Sequence, residues 1–236
     1  MEKTKRHIMA IGAHIGDMEL TTGMTLAKNF LLGGKATTVA LTAGERGAPP
    51  GSDDAAIEAF RLKNIASAEE FASAMGGKFI DVGYPDGEAP DNKELRLKLC
   101  DIIREEKPDV ILTHWGNSMH VDHITANRAV NDAIYFASLR GLDRKFPPHS
   151  CTGPYYAENW EDAHGFVPYV YVDVSDSYEL WEGAVKKLWL TLNSPWFKYL
   201  EYYDALSRSR GALIHKKRAE CYMVNPHDMK LVKDCL

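Results

Sequence analysis

The sequence predicts an α/β fold: a Rossmann-like, mostly parallel sheet with helices on both faces and a helical, aromatic-rich C-terminal extension. Two observations predict it. Before residue 140, four short apolar runs each lead into a segment of helical periodicity, and such strand-then-helix repetition specifies right-handed crossovers onto a parallel sheet. The length of 236 residues, 45% of them hydrophobic, suits one domain with a real core. The expected division is a parallel core over 1–140 and a C-terminal part over 141–236 that completes a pocket or forms an oligomer interface.

The first run, His7 to Ala13, is apolar between polar flanks, as a buried parallel strand requires. Leu20, Met24, Leu26, Ala27, Phe30 and Leu31 then recur at helical spacing, and Gly33-Gly34 stops the helix. Ala36 to Thr42 reads as a second strand, Ala55 to Met75 as a helix ended by Gly76-Gly77, and Lys78 to Val82 as a third strand. A helix over Asp91 to Glu106, a strand over Asp109 to Thr113 and a helix from about Ile124 to Leu139 follow. Past residue 140 comes a Pro- and aromatic-rich stretch. A strand at Tyr169 to Val174, an amphipathic helix over Asp176 to Leu192, a helical ending and a last strand at Cys221 to Val224 complete the reading. Trp181, Trp189, Trp196, Phe197, Tyr199, Tyr202 and Tyr203 are expected to pack on the sheet or a second copy of the chain, with a substrate lid as the alternative.

The formal charge of -5 lacks the cationic excess that a nucleic-acid surface needs, so a small-molecule substrate is the expectation. Met1 to Arg6 is polar and charged, and no apolar run is long enough to span a membrane. A cytoplasmic location follows as an expectation. Cys100, Cys151, Cys221 and Cys235 form no Cys-x-x-Cys pair, which argues against a thiolate zinc site, and Cys100 falls on the buried face of a helix.

Chemistry concentrates at two strand exits. Ala13-His14-Ile15-Gly16-Asp17-Met18-Glu19 ends the first strand, where an imidazole and a carboxylate three residues apart converge because the chain folds back. Ser118-Met119-His120-Val121-Asp122-His123 follows the fourth strand. Ligands of such sheets bind beyond the carboxyl ends of the strands. The two loops therefore bring His14, Asp17 and His123 together as a two-His, one-carboxylate metal site with a position open to water. Helix capping by Asp17 and Asp122 is the competing role. A dinucleotide loop at Gly12 to Gly16 is rejected, because the third glycine is missing and His14 and Asp17 crowd the space a pyrophosphate needs.

These segments, with Thr42-Ala43-Gly44-Glu45-Arg46-Gly47 and Gly83-Tyr84-Pro85-Asp86-Gly87, resemble in order and spacing the motifs of the PIG-L (LmbE-like) deacetylase family over the first two thirds of the chain. Asp173-Val174-Ser175 and Ala219-Glu220-Cys221-Tyr222 resemble it more loosely. The resemblance implies a zinc-dependent hydrolase that removes acetyl groups from N-acetylglucosamine units or related small amides, Fe2+ being an alternative ion. It implies His14, Asp17 and His123 as metal ligands, His120 facing the developing oxyanion, and Asp122 orienting His120. Arg61, Asp86, Glu45 and Ser118 are expected toward the substrate, Glu45 also reading as a loop hydrogen bond. Related proteins associate, so a homo-oligomer is compatible with the aromatic C-terminal part.

One position departs from the family pattern. The Asp expected to take a proton from the metal's water is Gly16 here, and the preceding proline is Ile15. A positioned general base is worth about 10² to 10⁴ in rate. Glu45, Glu19, Asp86 or the His120 and Asp122 pair are the possible replacements, with helix-end contact the simpler role for Glu19. Two alternatives stay open: a metal-binding relative that has lost hydrolysis, and a metal hydrolase acting on another bond whose substrate brings its own base. Among the other histidines, His7 is expected at a strand edge and His149, His215 and His227 in solvent; His114, at a strand exit, and His164, in a loop region, are expected away from the pocket, with lining it as the alternative.

Overall fold

The computed structural model describes residues 5–225 and 227. Cys235 lies outside the described residues. Seven strands form one sheet: β1 (His7–His14), β2 (Lys35–Thr42), β3 (Lys78–Tyr84), β4 (Val110–His114), β5 (Thr152–Ala157), β6 (Val170–Asp173) and β7 (Ala219–Val224). Their order is β3-β2-β1-β4-β5-β7-β6. The first five are parallel, and β7 runs antiparallel to both β5 and β6.

Side-chain alternation along β1 divides the core between the two faces of the sheet. Ile8 and Ala10 face a layer that holds Met24, Phe71, Trp181 and Tyr203, from α2 (Gly23–Leu31), α3 (Asp54–Ala74), α6 (Tyr178–Val185) and α8 (Tyr199–Leu213). Met9, Ile11 and Ala13 face Leu95, Leu99, Cys100 and Ala126, from α4 (Lys93–Glu106) and α5 (Val121–Ser138). Asp53 and Asn92 cap α3 and α4 by accepting from the backbone N–H groups of Ala56 and Leu95.

The structure corrects the sequence reading in five places. The first helix is two, α1 (Asp17–Thr21) and α2, because the buried Glu220 carboxylate of β7 accepts the Met24 and Thr25 N–H groups and gives α2 its own start. The helix expected over 176–192 is likewise broken into α6 and α7 (Trp189–Asn193); the Thr191 hydroxyl donates to the Val185 and Leu188 carbonyls at the break. Strand β5 falls inside the Pro- and aromatic-rich stretch, where Pro154 and Gly153 conceal it. His7 begins a central strand and is buried, with Nε2 2.8 Å from the Thr37 hydroxyl, and His149 is half-buried with Nε2 2.7 Å from the Pro108 carbonyl. Cys100 is buried as expected, and Cys100, Cys151 and Cys221 are free thiols. No helix among the described residues is long and apolar enough to cross a membrane.

Candidate metal centre

Strands β2 and β3 lie on one side of β1, and β4 and β5 lie on the other. The crevice beyond the carboxyl ends of β1 and β4 is thus the switch point of the sheet. His14 is the last residue of β1, Asp17 the first of α1, His114 the last of β4, and His123 lies in the first turn of α5.

These side chains converge on one oxygen. Asp17 Oδ2 lies 3.2 Å from His14 Nδ1, 3.4 Å from His123 Nε2 and 3.2 Å from His114 Nε2, and it accepts the His14 backbone N–H at 2.7 Å. Donors bound to one tetrahedral zinc at about 2.0–2.2 Å stand roughly 3.3–3.6 Å apart, so His14 and His123 each stand near ligand spacing from Asp17. His123 Nε2 is buried and makes no hydrogen bond among the described residues, and a cation satisfies such an orphaned polar atom. Among the described residues three overlapping sets each hold donor atoms within 4.8 Å of one another, namely His14, His120 and His123; Asp17, His114 and His123; and His14, Asp86 and Asp122; the expected trio His14, Asp17 and His123 is split between them. The residues present therefore fit a divalent ion.

A second layer of carboxylates backs the imidazoles. His123 Nδ1 lies 2.9 Å from Asp162 Oδ1, and His114 Nδ1 lies 3.0 Å from Asp162 Oδ2. On the opposite side, His14 Nε2 lies 3.2 Å from Asp86 and 3.3 Å from Asp122. Each expected imidazole ligand thus turns one nitrogen to Asp17 and the other to a carboxylate, the arrangement that fixes tautomer and ring orientation at metal sites. Burial opposes charge on Asp162, yet hydrogen bonds from His114 and His123 hold its carboxyl down at about 2. Burial likewise opposes charge on His14, but Asp17, Asp122 and Asp86 outweigh it and raise its pKa well above the ordinary value.

This layer reassigns Asp122. Its carboxylate accepts the Gly87 N–H at 2.8 Å and faces His14, so it does not orient the His120 side chain. The contact with His120 comes from the Asp122 backbone, whose N–H donates to His120 Nδ1 at 3.2 Å. His120 therefore caps α5, and neither Asp17 nor Asp122 is a cap. Burial and the neighbouring His14 lower the His120 pKa. Ser118 Oγ accepts the His120 backbone N–H and lies 3.4 Å from His123 Nδ1; it shapes the loop and lies off the cavity wall.

A cavity of about 210 Å3 opens onto this centre. His14, Asp17, Asp86 and His120 form its polar end, and Phe60, Trp160, Trp189, Leu190, Tyr199 and Tyr203 form much of its wall. The aromatic C-terminal part thus divides its roles. Trp181 is fully buried, with its indole N–H donating to the Glu19 carbonyl, whereas α7 carries Trp189 and Leu190 to the cavity. Arg61 is elsewhere, bound to Asp81 at 2.7 Å in a separate shallow groove. Glu45 Oε1 accepts the Asp86 N–H, the loop role, and Glu19 Oε2 accepts the Gly16 N–H at 2.9 Å, the helix-end role. His164 is exposed, and its carbonyl accepts from the Trp115 indole.

Sequence reasoning missed Asp162 and Glu161, both in the short turn Trp160–Asp162 after β5. Glu161 lines the cavity with its carboxylate 3.8 Å from His123 Nε2. Burial, with Asp17 and Asp162 nearby, pushes its carboxyl up to about 7. The sequence signal was an Asn-Trp-Glu-Asp run following an unrecognised strand.

The family model for GlcNAc-PI de-N-acetylase (PIG-L) matches residues 9–134, just over half of the chain, and this chain belongs to that family. Diacetylchitobiose deacetylase of Thermococcus kodakarensis is 27% identical over 192 residues, covering 77% of this chain and 68% of its own. A 1D-myo-inositol 2-acetamido-2-deoxy-alpha-D-glucopyranoside deacetylase of Salinispora arenicola is 27% identical over 165 residues, 58% of this chain; the match spans about half of that relative, 53%. In fold, GalB, the 4-carboxy-2-hydroxymuconate hydratase of Pseudomonas putida, superposes with a TM-score of 0.81 over 98% of this chain and 99% of its own at 18% identity.

Proposed function

We propose that this protein is a zinc-dependent hydrolase that cleaves the acetamide of an N-acetylated sugar or a related small amide. The observation that carries the reading is His123 Nε2, buried, without a hydrogen bond among the described residues and 3.4 Å from Asp17 Oδ2 beside His14. His14, Asp17 and His123 would hold the ion, which when bound polarises a carbonyl and makes water a better nucleophile. The chain's own residues do the rest. Because His120 Nδ1 accepts the Asp122 N–H, the ring proton of the neutral imidazole sits on Nε2, available to donate to an oxyanion at the cavity's polar end. Neutral His120 thus replaces the protonated, Asp122-held form expected from the family pattern. The aromatic wall excludes water and offers flat apolar faces to a sugar ring.

Zinc-loaded protein is expected to release free amine from N-acetylglucosamine conjugates, and His120→Ala to lower kcat about 10² to 10³-fold while retaining its metal. Loss of metal in that variant would make His120 a ligand instead. The free thiols of Cys100, Cys151 and Cys221 support the cytoplasmic part of the reading, and the exposed Trp196 supports self-association.

Gly16 favours a second reading, addition of water to an activated carbon–carbon double bond, which the fold accommodates in the GalB hydratase. Loss of near-ultraviolet absorbance from conjugated carboxylic acids, without amine release from acetamides, would select it.

A further inference from the structure

The position where the family carries its proton-accepting carboxylate is closed. Gly16 has φ 111°, and a Cβ built on it stands 2.5 Å from Leu190 Cδ2. The space is therefore filled from α7, and whatever accepts a proton from an attacking water must enter the cavity from elsewhere.

Asp17 is an expected ligand, and the other carboxylates in or around the cavity can be taken one by one. Glu19 is committed to the Gly16 N–H, Asp86 to the Arg46 N–H and His14, and Asp122 to the Gly87 N–H and His14; Glu45 holds the Asp86 N–H through Oε1, and although its Oε2 is buried without a partner among the described residues, it lines a separate groove and not this cavity. Asp162 is fully buried between His114 and His123. Glu161 differs from all of them. It lines the cavity, its side chain is 20% exposed, and among the described residues its carboxylate makes no hydrogen bond, only the 3.8 Å approach to His123 Nε2. Its backbone is nonetheless fixed: its N–H donates to Asn159 Oδ1, its carbonyl accepts the Met119 N–H, and the next residue is anchored by two imidazoles. A rigidly mounted carboxylate with free lone pairs beside the open side of a metal set has the placement a general base needs.

We infer that Glu161, arriving from the turn after β5, is the proton acceptor of this enzyme in place of the carboxylate lost at Gly16. The inference rests on the hydrolase reading above. As the water oxygen bonds to the acyl carbon, its O–H bond breaks and the proton passes to Glu161 Oε2, while the carbonyl π pair moves onto oxygen, facing His120. On collapse the C–N bond breaks, and Glu161 returns that proton to the departing amine nitrogen. Acetic acid, keeping the second water proton on its hydroxyl, and the free amine leave, and the Glu161 carboxylate is restored. One water is consumed and no other reactant is required.

The test compares full-length wild type with Glu161→Gln, both loaded with zinc, on an N-acetylglucosamine conjugate and on 4-nitrophenyl acetate, which needs water activation but no sugar site. Zinc affinity is measured separately by competition with a chromophoric chelator. The expected result is a kcat lower by about 10² to 10⁴-fold on whichever probes wild type turns over, with zinc affinity within about threefold of wild type. Glu161→Ala should regain part of its rate with added formate. Retained kcat in Glu161→Gln overturns the inference, as does a tenfold or greater loss of zinc affinity, which would make Glu161 a ligand. Ester turnover that depends on Glu161 without any amide turnover leaves the inference standing and removes the acetamide reading. Inactivity of wild type on both probes overturns both.

Discussion

Leu190 Cδ2 occupies the place a side chain on Gly16 would need, 2.5 Å from the ideal Cβ position. The pair joins the first turn of the fold to a helix in its C-terminal part. Together with φ 111° at Gly16, the contact disfavours any side chain at this position, the backbone more firmly than the movable Leu190 methyl.

Gly16→Asp therefore does not simply restore the family's base. At φ 111° an aspartate is strained, and its Cβ must displace Leu190, costs that together come to about 1–3 kcal/mol. For a chain of this size that lowers the thermal midpoint by several degrees, at about 2–4 °C per kcal/mol. Gly16→Asp with Leu190→Ala should remove the steric part and leave the backbone part. A single variant as stable as wild type would show that α7 does not press on Gly16.

Asp162 holds His123 and His114 through one buried carboxylate. Asp162→Asn is expected to weaken metal binding by about 10–100-fold, the usual effect of losing the carboxylate behind a ligating histidine, and Asp162→Ala to destabilise the fold as well by leaving two buried imidazoles without their acceptor. Metal titration followed by calorimetry checks both. Unchanged affinity in the asparagine variant would remove Asp162 from the site.

Metal removal should cost stability. An ion at about 100 times its Kd adds about 2.7 kcal/mol, or roughly 5–10 °C of midpoint at this chain length, so a chelator should lower the midpoint by that amount. His123→Ala, which deletes the unpartnered nitrogen, should be insensitive to chelator. Equal chelator shifts in His123→Ala and wild type would place the ion elsewhere.

Glu220 gives a pH signature far from that centre. Burial pushes its carboxyl up to about 7, against hydrogen bonds from Thr25, Met24 and Tyr222 that favour the charged form. Because the folded pKa lies above the unfolded one, near 4.5, the folded state holds the proton more tightly. Its stabilising effect is full below about pH 4.5 and is lost as pH rises through about 7, amounting to roughly 3 kcal/mol at one pKa unit per 1.36 kcal/mol. Denaturant midpoints between pH 5 and 8 should fall less steeply in Glu220→Gln than in wild type, whatever the variant's absolute stability. Parallel profiles would count against a protonated Glu220.

Local signals sufficed for β1 to β4 and for α3 to α5, because apolar runs, glycine stops and period-3.6 patterns are written within single segments. The breaks at Thr22 and at residues 186–188 were not legible, since the first depends on Glu220 from β7 and the second on how α6 and α7 pack. Strand β5 was lost to its Gly-Pro pair, and with it the Glu161 and Asp162 turn. The site was half legible for the same reason. His14, Asp17, His120 and His123 sit in two compact motifs, whereas Arg61 shares a general region with the pocket but turns to Asp81.

By itself the sequence determined the parallel α/β class and the two strand ends that bring His14, Asp17, His120 and His123 to one crevice, and it carries the proposed ligand set and the glycine at position 16. Tertiary structure alone decided that Asp122 backs His14, that Asp162 locks two imidazoles, that Leu190 fills the space at Gly16 and that Glu161 faces the cavity unpaired. The physical reason is distance along the chain. Ligand identity follows from residue type and backbone turns a few residues long, while the partners that orient ligands come from segments brought together only when the sheet and its C-terminal helices pack.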